Sequence, residues 1–281
     1  MKTLIPAFTA TLAISMAASA APRLVVSTPT LAPESQIDLV LDSPVTAIPD
    51  LGKTVDNTWI EIQPALPGKL LWKAQNIARF IPSQPPAIGT TYTFSIPKNL
   101  QHLDKTPVPA GKFATLESEA FRIVAANALN RWSSDFSLST GNWMIVFNDD
   151  VEPGAAANYI SFVSKSGQRV AAKLGRTNFG SAGYYGNNYK PWAERYPDTP
   201  ARQNPPDAPV PFILQATPAS PLPVGEGWTI SVLKGLPNSS GKAHTTDDNQ
   251  YAVGDVKPFQ VANITAYQNP DEPRKVIISF N

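Results

Sequence analysis

The residues that could carry acid–base, nucleophilic or metal chemistry are few, and their spacing suits none of it. The chain of 281 residues has two histidines, His102 and His244, and no cysteine. An imidazole acts as a ligand or a base only beside a second polar group, and neither histidine has one at helical or hairpin spacing. Both are read as ordinary surface histidines of loop segments, with no metal site. Without cysteine there is no thiol nucleophile and no thiolate metal site. Serine and aspartate are plentiful but sit in turn-forming sequences, and no G-x-S-x-G, P-loop or G-x-G-x-x-G run is present. Acyl transfer and nucleotide chemistry therefore have no local support. Asp247-Asp248-Asn249 clusters the oxygens that calcium takes, yet at a spacing no calcium loop uses, so a solvated turn is expected. Asn238-Ser239-Ser240 and Asn263-Ile264-Thr265 have the form of glycosylation sequons and are given no role. These residues predict no catalytic group, no cofactor and no enzymatic activity.

One stretch departs from this pattern. Phe179, Tyr184, Tyr185, Tyr189, Trp192 and Tyr196 lie among Gly, Asn and Pro between Gly175 and Asp207. A loop of roughly thirty residues is uncommon unless it is functional or disordered, and its aromatic content argues against disorder. Two readings stay open. Tyr and Trp give large contact area at low entropic cost, so the loop could be a contact surface; packing against its host or a neighbouring domain is the default.

The elements that must position these residues read as strands. In Thr91–Ile96 apolar residues alternate strictly with hydroxyl residues, the period-2 pattern of a strand buried on one face, and Trp59–Gln63 alternates the same way. Pro67-Gly68 before Leu70-Leu71-Trp72 suits a tight reversal. The 29 prolines are about twice the usual share of roughly 5%, which disfavours long helices and favours turns and edge strands. Trp59, Trp72, Trp132, Trp143 and Trp228 lie on or beside strand patterns and are expected in the core.

The strand pattern also repeats. Leu24-Val25-Val26 and Ile37 to Val45 are matched by Phe121 to Val124 and Trp143 to Val151: three alternating apolar residues, then Asp or Asn, two residues and Val. Pro82, Pro85, Gly89, Tyr92 and Thr93 are matched in order by Pro218, Pro221, Gly225, Trp228 and Thr229. Phe259-Gln260-Val261 and Val276 to Asn281 repeat the opening a third time. The expected modules are 22–116, 117–258 with its insert at about 175–207, and an incomplete third from 259 to 281, as in a fragment of a longer protein.

Residues 1–20 read as an export signal: Lys2, an apolar run from Leu4 to Ala17, and an A-x-A site at Ala18-Ser19-Ala20. The mature chain is expected to be periplasmic or extracellular, with no transmembrane segment. Its charge is balanced, 23 basic against 22 acidic residues before Lys2 is removed, so no nucleic-acid or membrane-surface footprint is present.

The run from Trp59 to Ile96, with Phe80, Pro82, Pro85, Gly89, Tyr92 and Thr93, resembles the amino-terminal macroglobulin-type domains of bacterial alpha-2-macroglobulin-like proteins and the related Ig-like modules of surface proteins. The resemblance implies an all-β chain of tandem antiparallel Ig-like (macroglobulin-type) β-sandwich domains. It implies non-catalytic scaffold modules of a protease-trapping endopeptidase inhibitor, whose partners are downstream modules of the same protein and, through the full-length protein, proteases. The family's thioester needs a Cys, and many members carry a lipobox Cys at the signal boundary. This chain has neither. The alternative is an Ig-like adhesion or carbohydrate-binding module with the aromatic insert as its contact loop.

Overall fold

A computed structural model describes residues 21–129, 142–197, 199, 205–269 and 273–280. The leader at 1–20 and Trp132 lie outside the described residues. The chain is all-β, with antiparallel sheets. Its contacts divide it into two units: residues up to Ser27, Gln36–Ser83 and Thr93–Thr115 form the first, and Thr28–Ser35, Gln84–Tyr92 and the chain from Leu116 form the second. Two loops of the 22–116 span thus belong with the second unit.

The first part of the chain carries β1 (Arg23–Val26), β2 (Ile37–Val40), β3 (Thr54–Asp56), β4 (Glu61–Gln63), β5 (Gly68–Ala74), β6 (Ile77–Pro82), β7 (Thr91–Ile96) and β8 (Gly111–Glu117). They form a five-stranded sheet, β1-β2-β6-β5-β3, and a three-stranded sheet, β4-β7-β8. The period-2 readings hold where apolar residues alternate. Tyr92, Phe94 and Ile96 are buried along β7, and Ile37 and Leu39 are fully buried along β2. Each such side chain contributes roughly 1.5–3 kcal/mol of burial, and the hydroxyl residues between them face outward.

Two local readings are corrected. β4 begins at Glu61 rather than Trp59, because the Asn57 side chain receives the Ile60 N–H and donates to the Ile60 carbonyl. That local bonding replaces the ladder there, and Trp59 instead meets Trp72 edge-on at 5.6 Å. Gly68 is needed for close approach and not for a reversal. A Cβ there would lie 2.5 Å from the Ile81 carbonyl oxygen and 2.6 Å from the Phe80 ring.

The second unit adds β9 (Ile123–Ala128), β10 (Trp143–Phe147), the short α1 (Pro153–Ala156), β11 (Ile160–Val163), β12 (Arg169–Asn178), α2 (Gly183–Asn187), β13 (Pro209–Pro218), β14 (Gly225–Val232) and β15 (Asn249–Val256). Their order is β15-β14-β11-β12-β13-β10-β9. β12 pairs with β11 through Arg169–Ala171 and with β13 from Ala172 onward, so one long strand serves both halves of the sheet. Trp143, Ile145, Phe147 and Leu214 from one half share a core with Phe162, Trp228, Ile230 and Val232 from the other.

β10 departs from the one-faced pattern, for all five of its residues are buried. Met144 and Val146, on its other face, pack with Phe179, Ala182, Phe212 and Ile213, so the insert covers what would otherwise be solvent-facing. The chain then forms β16 (Val261–Tyr267) and β17 (Lys275–Phe280), a two-stranded sheet by itself. Among the described residues no helix is long and apolar enough to cross a membrane.

Candidate functional site

The insert opens where β12 ends. Asn178 accepts the Ser181 N–H on its side chain and the Ala182 N–H on its carbonyl, a local turn that an Asn side chain favours. That turn lowers Phe179 and Ala182 onto the outer face of β10. From the buried Phe212 a file of rings runs outward: Tyr189 at 5.6 Å, Tyr185 at 6.2 Å from Tyr189, and Tyr184 at 5.5 Å from Tyr185. Burial pushes the Tyr189 hydroxyl up to about 12. Only the last ring emerges, with Tyr184 68% exposed.

The insert then makes a 3-10 turn at Trp192–Arg195. The buried Trp192 donates its backbone N–H to the Asn148 carbonyl at 2.7 Å and its indole N–H to the Pro86 carbonyl at 2.7 Å. Arg195, stacked over the Trp192 ring at 5.4 Å, bonds Glu34 through Nη2 at 2.6 Å and Glu119 through Nη1 at 2.8 Å. Glu119 also receives Arg122 at 2.9 Å and the Asn148 amide at 3.2 Å. Asn148, fully buried, accepts the Arg122 N–H on Oδ1 and donates to the Ala120 carbonyl. Burial alone would raise the Glu119 carboxyl; hydrogen bonds from Arg195 and Asn148, with the charges of Arg195 and Arg122, outweigh it and hold the group below its ordinary value.

This cluster is a clasp. It ties the insert to the segments Thr28–Ser35 and Gln84–Tyr92 of its own unit, where backbone bonds from Leu31 to Glu117 and from Gly89 to Glu119 continue the attachment. Its donors and acceptors are committed to one another, so its chemistry is cohesion. The six sequence-selected aromatics are accordingly divided: Phe179 and Trp192 are buried, Tyr185, Tyr189 and Tyr196 are half-buried, and Tyr184 is exposed. Reasoning from sequence missed Arg195, Glu34, Glu119 and Asn148. The separations of 161 residues to Glu34 and 76 to Glu119 leave no local signal.

Elsewhere, His102 corrects the surface reading. It is 4% exposed, with Nε2 3.2 Å from Asp42 Oδ1. His244 is exposed and borders a cleft of about 350 Å³ with Glu117, Phe121 and Lys242. No group of three metal-ligating side chains occurs among the described residues. The Asp247-Asp248 run is an exposed bend, with Asp248 accepting the Lys234 N–H and Asp247 the Thr246 hydroxyl. Asn238 of the first sequon is buried, its amide donating to Asp149 at 2.9 Å.

Fold and clasp together define an all-β protein whose second unit is locked by an aromatic and ionic insert. No family model and no curated protein matches the chain.

Proposed function

We propose that the chain supplies non-catalytic scaffold modules of an alpha-2-macroglobulin-like, protease-trapping endopeptidase inhibitor, exported to the periplasm or beyond. The observation that carries this reading is a repeated strand order under the family's landmark residues. β1-β2-β6 and β9-β10-β13 are successive neighbours in their sheets, and Tyr92 and Trp228, matched in the repeat, are both buried. The insert supports a scaffold role, because Phe179, Tyr185 and Tyr189 pack on the outer face of β10 and Arg195 is ion-paired. Partners would be further modules of the same protein and, through the whole protein, proteases.

The test is to isolate the gene product from the cell envelope and add an active protease. A trap shields a large protein substrate while a small chromogenic peptide is still cleaved. The mature 21–281 chain alone should form no covalent protease adduct. An envelope product consisting of this chain alone, without effect on cleavage of the large substrate, overturns the proposal, as does a heavier protease band that survives denaturation. The alternative, an adhesion or carbohydrate-binding module, rests on Tyr184, the one insert ring that is 68% exposed. Saturable polysaccharide binding that vanishes in Tyr184→Ala would favour it.

A further inference from the structure

The cleft beside His244, of about 350 Å³, lies between two lips that both belong to the second unit. Both lips are fixed from beneath. The first joins Gly89–Thr91 to Glu117–Phe121: Ser118 Oγ accepts the Thr90 N–H at 2.7 Å and donates to the Ala87 carbonyl at 2.8 Å, and the Gly89 N–H reaches the Glu119 carbonyl at 2.8 Å. The second is the segment Lys242–Thr246, which the buried Asn238 shapes. Its side-chain oxygen accepts the Lys242 and Ala243 N–H groups at 3.2 Å each, and its own N–H donates to the Ala243 carbonyl at 2.9 Å. The lips meet at Gly89, where a Cβ would lie 3.2 Å from that of Ala243. Ser118, Phe121 and Ala243 between them are buried, and the Ser118 hydroxyl is already bonded.

The rim is the reverse. Glu117, Lys242 and His244 line the cleft as exposed residues, and among the described residues none of their side chains is hydrogen-bonded or ion-paired. A lone surface charge needs no partner, because water solvates it. Here a carboxylate, an ammonium and an imidazole share the wall of one concavity. Together they limit what it can take. Glu117 would repel a dianion and Lys242 a dication, since like charges set against each other are costly, and a sugar would find no aromatic face, because Phe121 is 0% exposed. A molecule with both charges satisfies every group: its ammonium meets Glu117 and its carboxylate meets Lys242, with His244 as a further donor. The volume is at the low end of the about 300–1,000 Å³ usual for small-molecule sites, so the ligand is small.

We propose that this cleft binds a small zwitterion with a primary ammonium and a carboxylate: a free amino acid, or a dipeptide with both ends unblocked. Lips held by buried hydrogen bonds would cost little to order on binding. Such binding goes beyond the scaffold role and does not depend on it.

The probe is alanylalanine, titrated into the mature chain and followed by amide chemical shifts at Gly89, Thr90, Ser118, Lys242 and His244. Millimolar peptide should move them saturably. Blocking either end of the peptide, by acetylation or by amidation, should weaken binding at least about fivefold, the upper end for an exposed ion pair. Glu117→Gln should erase the penalty for acetylation and keep that for amidation, and Lys242→Gln should do the reverse. Both side chains are exposed, so neither change touches the core. Alanine binding as well as alanylalanine would identify a free amino acid as the ligand, and tighter binding of alanylalanine a peptide; either supports the proposal. The absence of saturable shifts, equal binding of the blocked peptides, a penalty that persists in its own variant, or tighter binding of succinate than of alanylalanine would overturn it.

Discussion

Arg195→Ala removes the centre of the clasp while leaving every strand in place. The arginine side chain is 25% exposed and that of Glu119 18%, so this pair is largely shielded from solvent, whereas Glu34 at 43% is close to a surface partner. Hydrogen bonds to charged groups contribute about 1.5–3 kcal/mol when shielded, and exposed ion pairs about 0–1 kcal/mol. Glu119 would keep Arg122 and Asn148 after the change, so the full cost of a stranded buried charge, about 3–5 kcal/mol, is not reached. The expected loss is about 2–3 kcal/mol, confined first to the segments the clasp holds. A local opening easier by that amount raises exchange by about 30- to 150-fold. It should be read at the amides of Leu31, Gly89 and Thr90, which bond Glu117, Glu119 and the Ser118 hydroxyl. Glu34→Gln should change the same amides by less than about fivefold. Unaltered exchange at these amides in Arg195→Ala, or an Arg195–Glu119 coupling below about 0.5 kcal/mol in a double-mutant cycle, would refute the clasp.

Acid should open the same region. Because the Glu119 carboxyl is held below its unfolded value of 4.5, its contribution is complete above that value and is lost as pH falls through the folded one; exchange at Gly89 and Thr90 should quicken below about pH 4.5, and the step should vanish in Glu119→Gln. Trp192→Phe keeps most of the ring but leaves the Pro86 carbonyl without its indole donor, and urea unfolding should show a loss of about 1–3 kcal/mol; a loss under about 0.3 kcal/mol would mean that water replaces the bond. Gly68→Ala must displace the Phe80 ring or the Ile81 carbonyl and should destabilise the first unit by about 1–3 kcal/mol, against no change if the backbone yields freely. Tyr184→Ala should alter stability by less than about 0.5 kcal/mol, which frees that variant for binding assays.

What the sequence made legible follows the range of the interactions. The alternation of Tyr92, Phe94 and Ile96 reports burial directly because a strand turns successive side chains to opposite faces, and those residues are buried in the structure. Trp59 was misplaced because an Asn57 side chain two residues earlier competes for the backbone, a contest that alternation alone cannot reveal. His102 looked like any loop histidine, and Asp42, which lies beside it in the structure, is sixty positions earlier in the chain.

The insert shows why composition could not decide between contact and packing. Tyr and Trp suit either use, since both have a large apolar body and one polar atom. The deciding quantity lies on another strand. Met144 and Val146 complete an uninterrupted apolar run from Trp143 to Phe147, and such a run signals that both faces of a strand need cover. The sandwich core covers one face, so something else must cover the other, and a long aromatic loop beginning at the end of β12 is close enough in the sheet to do it. Apolar residues on both faces of β10 and a ring-rich insert are two halves of one packing requirement. Only the last ring of the file, Tyr184, stands outside that requirement.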